Sequence, residues 1–376
     1  MVLTESDYKE SLGDLDWNFH NSKTETIHSI HPYPAKFIPE IPRALIKNLP
    51  IPRNSIILDP FCGSGVTLVE AQKAGIESIG VDLNPIACLL SEVKTKQLNI
   101  NFLDEVQEII VNCNSFKGRS LIPEIPNLNH WFKKEIQRSL SVLLNEINKV
   151  DNENILNALK FCFSSIIVKV SNQDSDTRYA AIDKQWKKED VFSLFKQSAE
   201  RLWKAKTSYN ESIQSRVINK NSLLLDKSDF PANVGMVITS PPYPNAYEYW
   251  LYHKYRMWWL GYDPIEVKKS EIGARAHYFK KNHQTVNDFV DQMEQLFSYL
   301  WDVCVNNAFI CLVIGQSKIH GEIIENEKLI AKIGQKMNFK YLTTLERVIN
   351  PSRKSFNLSH ARIKNEFIVI LKKNAP

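Results

Sequence analysis

Two hydrophobic patterns divide the chain. Apolar runs at 56–58, 236–238, 309–314 and 367–371, each bounded by polar or turn-forming residues, predict strands buried on both faces. Weaker strand signals lie at 77–81, 216–218 and 341–348. Apolar positions at helical spacing mark 40–49, 68–74, 285–305 and 325–337. They also fill most of 86–214, where helices are predicted at 86–97, 102–113, 132–147, 155–170 and 191–208. The strands at 56–59 and 77–81, with a helix between them closed by Gly75, form a βαβ unit with an expected right-handed crossover. A crossover needs only about a dozen residues, so the long helical stretch reads as an insertion in an α/β sheet. Three parts are expected: 1–100, a helical insertion at 101–214, and 215–376. Residues 1–29 are polar and expected to be ordered only in part, and 341–348 with 367–371 predict a terminal hairpin.

Two strands end in turns that chemistry can use. The first runs into Asp59-Pro60-Phe61-Cys62-Gly63-Ser64-Gly65, with Thr67 just beyond. Gly63 and Gly65 dispense with Cβ atoms, so the backbone can bend sharply and approach a ligand. Asp82, 19 residues after Gly63 and followed by Leu83 and Asn84, is placed to accept both hydroxyls of a ribose. Two glycines in place of the three of a dinucleotide fingerprint suit a nucleoside better than a pyrophosphate. The second strand runs into Thr239-Ser240-Pro241-Pro242-Tyr243. Consecutive prolines cannot extend a central strand, so the chain leaves the sheet at Ser240 in a stiff turn. A planar amino group fits such a corner. Its N–H groups would donate to the Ser240 oxygen and the Pro241 carbonyl, aiming the nitrogen lone pair, while Tyr243 clamps the ring.

Composition narrows the classes. The chain has 376 residues, 43% hydrophobic and 24% charged, with a net charge of +5, which permits a nucleic-acid partner without requiring one. There is no apolar run of bilayer length and no signal-peptide pattern, so a cytoplasmic location without membrane attachment is expected. Six scattered cysteines without a CxxC pair argue for reduced thiols and no metal site. Asp174 and Asp176 lack the glycine and distal glutamate of an EF-hand, so an interhelix loop is the reading there. Lys184, Lys187 and Lys188 beside Trp186 read first as a solvated face and only weakly as a nucleic-acid contact. The aromatic residues crowded between Tyr243 and Tyr262 read as core, with some rings walling a pocket for a flat base. Arg275, Lys280 and Lys281, and then Arg353, Lys354, His360, Arg362 and Lys364 in the acid-free stretch 350–364, suit an anionic polymer.

Taken together, these motifs resemble the amino-methylating DNA methyltransferases that use S-adenosylmethionine. Asp59 to Gly65 looks like that family's cofactor loop, Asp82 like its ribose-binding acid, and Thr239-Ser-Pro-Pro-Tyr243 like its catalytic motif. Tyr33-Pro-Ala-Lys36-Phe37 resembles the segment that closes over the methionine part of the cofactor. The resemblance implies a Rossmann-like, seven-stranded, mostly parallel sheet with an antiparallel last strand. It also implies S-adenosylmethionine as cofactor, double-stranded DNA as substrate, a flipped-out target base and, as a further partner, a cognate restriction endonuclease. The first part would then be the cofactor-binding half, the insertion a DNA-binding or target-recognition subdomain, and the last part the catalytic half. Ser-Pro-Pro-Tyr is typical of family members acting on cytosine N4, whereas Asp- or Asn-Pro-Pro-Tyr is commoner for adenine N6. Where the family often has an acid near the adenine, this chain offers Asn221. The competing readings are adenine N6 or RNA methylation, a catalytically silent nucleic-acid-binding subunit, and a cysteine enzyme built on Cys62.

Overall fold

A computed structural model describes residues 5–20, 25–34, 36–176, 178–206, 213–229, 233–244, 248–279, 283–319, 321–349 and 365–374. Its strands are β1 (Ile56–Asp59), β2 (Ser78–Asp82), β3 (Ser215–Asn219), β4 (Val234–Thr239), β5 (Cys304–Gly315), β6 (Ser317–Ile319), β7 (Glu322–Ile324), β8 (Lys340–Val348) and β9 (Asn365–Lys372). Seven of them form one sheet in the order β3-β2-β1-β4-β5-β9-β8, while β6 and β7 pair separately. The first five are mutually parallel, and β9 runs antiparallel to both β5 and β8. This is the methyltransferase-type sheet, with the chain's last strand reversed. No helix among the described residues is long and apolar enough to cross a membrane.

The apolar runs have a simple cause: both faces of the sheet are covered. Ile57, Met236, Ile238, Cys311 and Ile370 pack on one side with the helix Glu40–Asn48. Their neighbours Leu58, Val237, Ile310, Leu312 and Leu371 pack on the other with the helices Val286–Val303 and Asn326–Lys336. Alternation along each strand therefore separates two cores, not core from water.

The stretch between β2 and β3 is helical, and its core is not its own. Helices Phe102–Ser115, Lys134–Ile147, Glu153–Val170 and Lys188–Lys206 share one apolar cluster with Pro85–Thr95 and with Trp250, Tyr255 and Trp259 of Tyr249–Trp259.

The N-terminal segment, expected to be ordered only in part, contains a helix, Glu5–Gly13, that buries Tyr8 and Leu12 one turn apart, with the Trp17 indole donating to the Leu12 carbonyl at 2.8 Å. Two apolar positions in so short a polar stretch are too faint a pattern to read. Around Arg275, one of the residues read as suited to an anionic polymer, the chain holds a buried Glu271 and the short helix Arg275–Phe279. Lys280 and Lys281, and Arg353, Lys354, His360, Arg362 and Lys364, lie outside the described residues, as does Tyr247.

Candidate active site

The carboxyl ends of β1, β2, β3 and β4 converge on one pocket, of about 780 Å³ with its open mouth included. Gly63, Asp82 and Asn84 line it from the glycine bend and the next strand tip, and Ser240 and Pro242 line it from the proline corner. Phe61, Cys62, Ser64, Leu83 and Asn221 complete that wall, and Tyr33, Lys36 and Phe37 close it from the N-terminal segment.

The glycine bend is braced from several directions. Gly63 has a φ of +50°, and a Cβ there would stand 3.2 Å from the Tyr33 ring. Its N–H donates to Asp82 Oδ2 at 2.9 Å, while the Asn84 N–H donates to Oδ1 at 2.8 Å. Two backbone donors thus fix the Asp82 carboxylate, and each oxygen keeps lone-pair capacity for a ligand hydroxyl. Burial nevertheless pushes Asp82 up to about 6. From below, the fully buried Lys94 donates to the Ser64 carbonyl at 2.7 Å. Gly65 serves packing and does not line the pocket. At φ +76° its Cβ would fall 2.8 Å from Ser91 Oγ and 2.9 Å from Ser91 Cα, so of the two glycines only Gly63 is on the pocket wall.

Behind the pocket the two bends are stitched together. Thr239 Oγ1 donates to Asp59 Oδ1 at 2.6 Å, the Phe61 N–H reaches the same oxygen at 3.1 Å, and Thr67 donates to the Ile238 carbonyl at 3.1 Å. Asp59, Pro60, Thr67 and Thr239 support the site without lining it, and Pro241 joins the lining residues Ser240 and Pro242. Asp59 is pushed up to about 7 by its burial. Ser222, which does line the pocket, hydrogen-bonds the Pro60 carbonyl. Tyr243 is half-buried, with its ring against the cluster containing Ile272 and Phe61. Burial also raises the Cys62 thiol well above its ordinary value, which disarms it as a nucleophile.

The N-terminal segment is held by charge. Glu70 accepts from His28 Nε2 at 2.8 Å, Arg43 Nε at 2.7 Å and Lys73 at 3.0 Å. Glu25, His28 and Glu70 have the composition of a metal cluster, yet Arg43 and Lys73 already supply the positive charge. Lys36 hydrogen-bonds the His28 carbonyl, and burial lowers it to about 8.

The aromatic stretch expected to wall a pocket contributes Tyr249, and what sequence reasoning missed is the cap that holds it. Tyr249 lines the pocket, and Tyr33 stacks on it with centroids 6.1 Å apart and on the fully buried His253 at 5.0 Å. Burial keeps His253 neutral. Glu271, 7% exposed, accepts from the N–H groups of Tyr249 at 2.6 Å and Trp250 at 2.9 Å. It therefore caps a helix that has no side-chain cap of its own at Glu248. Gly273, at φ +71°, lies so close to the proline corner that a Cβ would sit 2.7 Å from the Tyr243 carbonyl oxygen.

Residues 5–92, which carry the segment with Tyr33 and the whole glycine bend, match the model of a family described as DNA methylase. Over 152 residues the chain is 39% identical to the Type II methyltransferase M.MjaII of Methanocaldococcus jannaschii, covering 36% of this chain and 28% of the relative. Residues 5–92 thus carry the sequence pattern of that family. The chain is 25% identical over 279 residues to the Type II methyltransferase M.MvaI of Kocuria varians, covering 64% and 57% of the two. It is 24% identical over 321 residues to M.BsoBI of Geobacillus stearothermophilus, covering 74% and 61%. It thus spans less than two thirds of the length of these curated relatives. With a solved S-adenosylmethionine-dependent methyltransferase of Methanosarcina mazei it shares 9% identity over 87% of its own length and 95% of that chain, at a TM-score of 0.36. That likeness is too loose to add to the strand order.

The family's cofactor is S-adenosylmethionine, and the pocket's donor set fits it. Asp82 has carboxylate oxygens aimed and under-used. The Nδ2 of Asn84 is buried with no hydrogen-bond partner in this structure, and the Lys36 ammonium supplies a counter-charge for a carboxylate.

Proposed function

We propose that this chain transfers a methyl group from S-adenosylmethionine to the exocyclic N4 amine of cytosine in double-stranded DNA. The observation that carries this reading is the shared pocket: the nucleoside-holding bend at Gly63 and Asp82 and the proline corner at Ser240 and Pro242 face the same space. When bound, the cofactor supplies an electrophilic methyl group on a positively charged sulfur. Asp82 would hold its ribose hydroxyls, Lys36 its carboxylate, and Asn84 and Asn221 would offer amide groups. Gly63, Ser64, Cys62, Phe61 and Leu83 would shape the cradle, with Tyr33 and Phe37 closing it.

At the proline corner the Ser240 oxygen and the Pro241 carbonyl accept the two amine N–H groups. Their pull draws the nitrogen lone pair out of conjugation and points it toward the cofactor side. Pro242 and Tyr243 fix the corner, and the aromatic wall at Tyr249 excludes water from a base turned out of its duplex. Positioning and desolvation supply the acceleration, so no covalent bond to the base is required and Cys62 has no step. The serine at the head of the motif favours cytosine N4 over adenine N6. The resemblance to Type II enzymes supports a cognate restriction endonuclease as a functional companion.

Mass spectrometry of nucleosides from DNA of cells expressing the chain tests the proposal. 4-Methylcytosine is expected, and Ser240→Ala should abolish it. 6-Methyladenine alone would transfer the same chemistry to adenine. Neither base modified, with no heat on titration with S-adenosylmethionine, would favour the silent-subunit reading.

A further inference from the structure

A second cavity, enclosing about 840 Å³ and open to solvent, lies in the helical insertion. It begins one residue from the active-site pocket, since Pro32 lines the cavity and Tyr33 lines the pocket. Its walls come from the segment at Ile30 and Pro32, the end of Glu153–Val170, the loop after it, and Lys188–Lys206.

The charges in this groove do not cancel. Its two acids are engaged, Asp174 with Arg178 at 3.2 Å and Asp176 with the buried Arg256. Its three cations, Lys169, Lys184 and Arg201, form no ion pair among the described residues, although the charges of Asp176 and Asp174 act on Lys184, and they outnumber the two acids. Lys184 donates only to the Val168 and Lys169 carbonyls at 3.1 and 3.3 Å, and Arg201 to the Ser29 carbonyl at 3.5 Å. Between them stand Gln197 and the hydroxyl pair Ser165 and Ser198, 2.7 Å apart. The three cations sit on three different elements, and no two share an acceptor. Positive charge laid out in this way suits successive phosphates of a polymer better than one small anion, which calls for donors converging on a point.

We propose that this groove grips the sugar–phosphate backbone of the DNA substrate beside the target base. The inference rests on the DNA reading above and adds a location: an anchoring site in the insertion, contacting phosphates and not bases. The groove's wall is tied to the segment that precedes Tyr33 and to the helix Tyr249–Trp259. Ser164, next to Ser165, hydrogen-bonds His31 through its hydroxyl at 3.1 Å and accepts from Arg256 through its carbonyl at 3.0 Å.

The test is the salt dependence of duplex binding, read by fluorescence anisotropy. Each phosphate contact contributes about 0.9 to the slope of log affinity against log salt. The variant Lys169→Gln/Lys184→Gln/Arg201→Gln should therefore lose about 2 to 3 from that slope and bind S-adenosylhomocysteine as the wild type does. A control with the same charge change, Lys227→Gln/Lys328→Gln/Lys336→Gln, removes lysines paired with acids elsewhere and should keep the slope. Should the triple variant fold poorly, the pair Lys169→Gln/Arg201→Gln, both at exposed positions, should lose about 1 to 2. An unchanged slope in a wild type that methylates DNA, or equal loss in the control, overturns the groove alone. A wild type that neither binds nor methylates DNA overturns the parent reading as well. An unchanged slope together with stabilisation by a nucleoside triphosphate that the triple variant loses would make this a small-anion site and refute the proposal.

Discussion

Replacing Glu271 by alanine should loosen the aromatic wall without dissolving the sheet. The Glu271 side chain holds two backbone donors, at 2.6 and 2.9 Å, and leaving each such donor unsatisfied costs about 1–3 kcal/mol. Its removal strands both N–H groups at the first turn of Tyr249–Trp259, where water recovers part of the loss. A net cost of about 2–4 kcal/mol follows. Trp250, Tyr255 and Trp259 stay anchored in the insertion core, so the cost falls on the turn carrying Tyr249. Re-forming that turn on binding should weaken cofactor affinity about 10- to 100-fold, at 1.4 kcal/mol per decade. Isothermal titration with S-adenosylhomocysteine measures it. Glu271→Gln keeps one acceptor and should fall between the alanine variant and the wild type. An alanine variant that binds with wild-type affinity and melts at the wild-type temperature would refute this account of the cap.

Three further outcomes are expected. Gly65→Ala should lower stability by several kcal/mol, because its Cβ meets the Ser91 Cα at 2.9 Å on a left-handed backbone; Gly63→Ala, costing about 1–2 kcal/mol of backbone strain, should instead be felt chiefly in cofactor affinity, and calorimetry separates the two. Asp82, Asp59 and Glu271 are raised to about 6, 7 and 8 in the folded chain, from 3.8, 3.8 and 4.5. Between those limits the folded state holds protons that the unfolded state has released, so stability should fall as pH rises from about 5 to about 8. Urea denaturation across that range checks it, and Glu271→Gln should flatten the upper end. Cys62→Ser should retain most activity in a methylation assay, whereas a loss as large as that of Ser240→Ala would revive the cysteine reading.

Local signals in the sequence carried the cofactor bend and the proline corner. Buried strands announce themselves as apolar runs, and the glycines and prolines after Asp59 and Thr239 punctuate them within a few residues. The strand order could be anticipated only through the family resemblance, since nothing in the runs themselves specifies that β9 inserts between β5 and β8. Glu271 was invisible for another reason. A carboxylate 22 residues downstream caps Tyr249, and no local spacing rule reaches that far. The available clue was negative: an aromatic helix starting after Glu248 with no Ser, Thr, Asp or Asn at its cap position. Gly65 misled because the same conformational freedom serves a ligand and a neighbouring helix equally well, and only the position of Ser91 decides between them.

The apolar cluster joining the insertion to Tyr249–Trp259 makes the insertion a poor module for exchange. Grafting 101–214 into a relative would leave Trp250, Tyr255 and Trp259 facing foreign side chains, and the resulting voids would reach the catalytic wall within one turn of helix. A workable chimera would have to carry Tyr249–Trp259 along with the insertion, so the two can drift apart in sequence only by compensating each other.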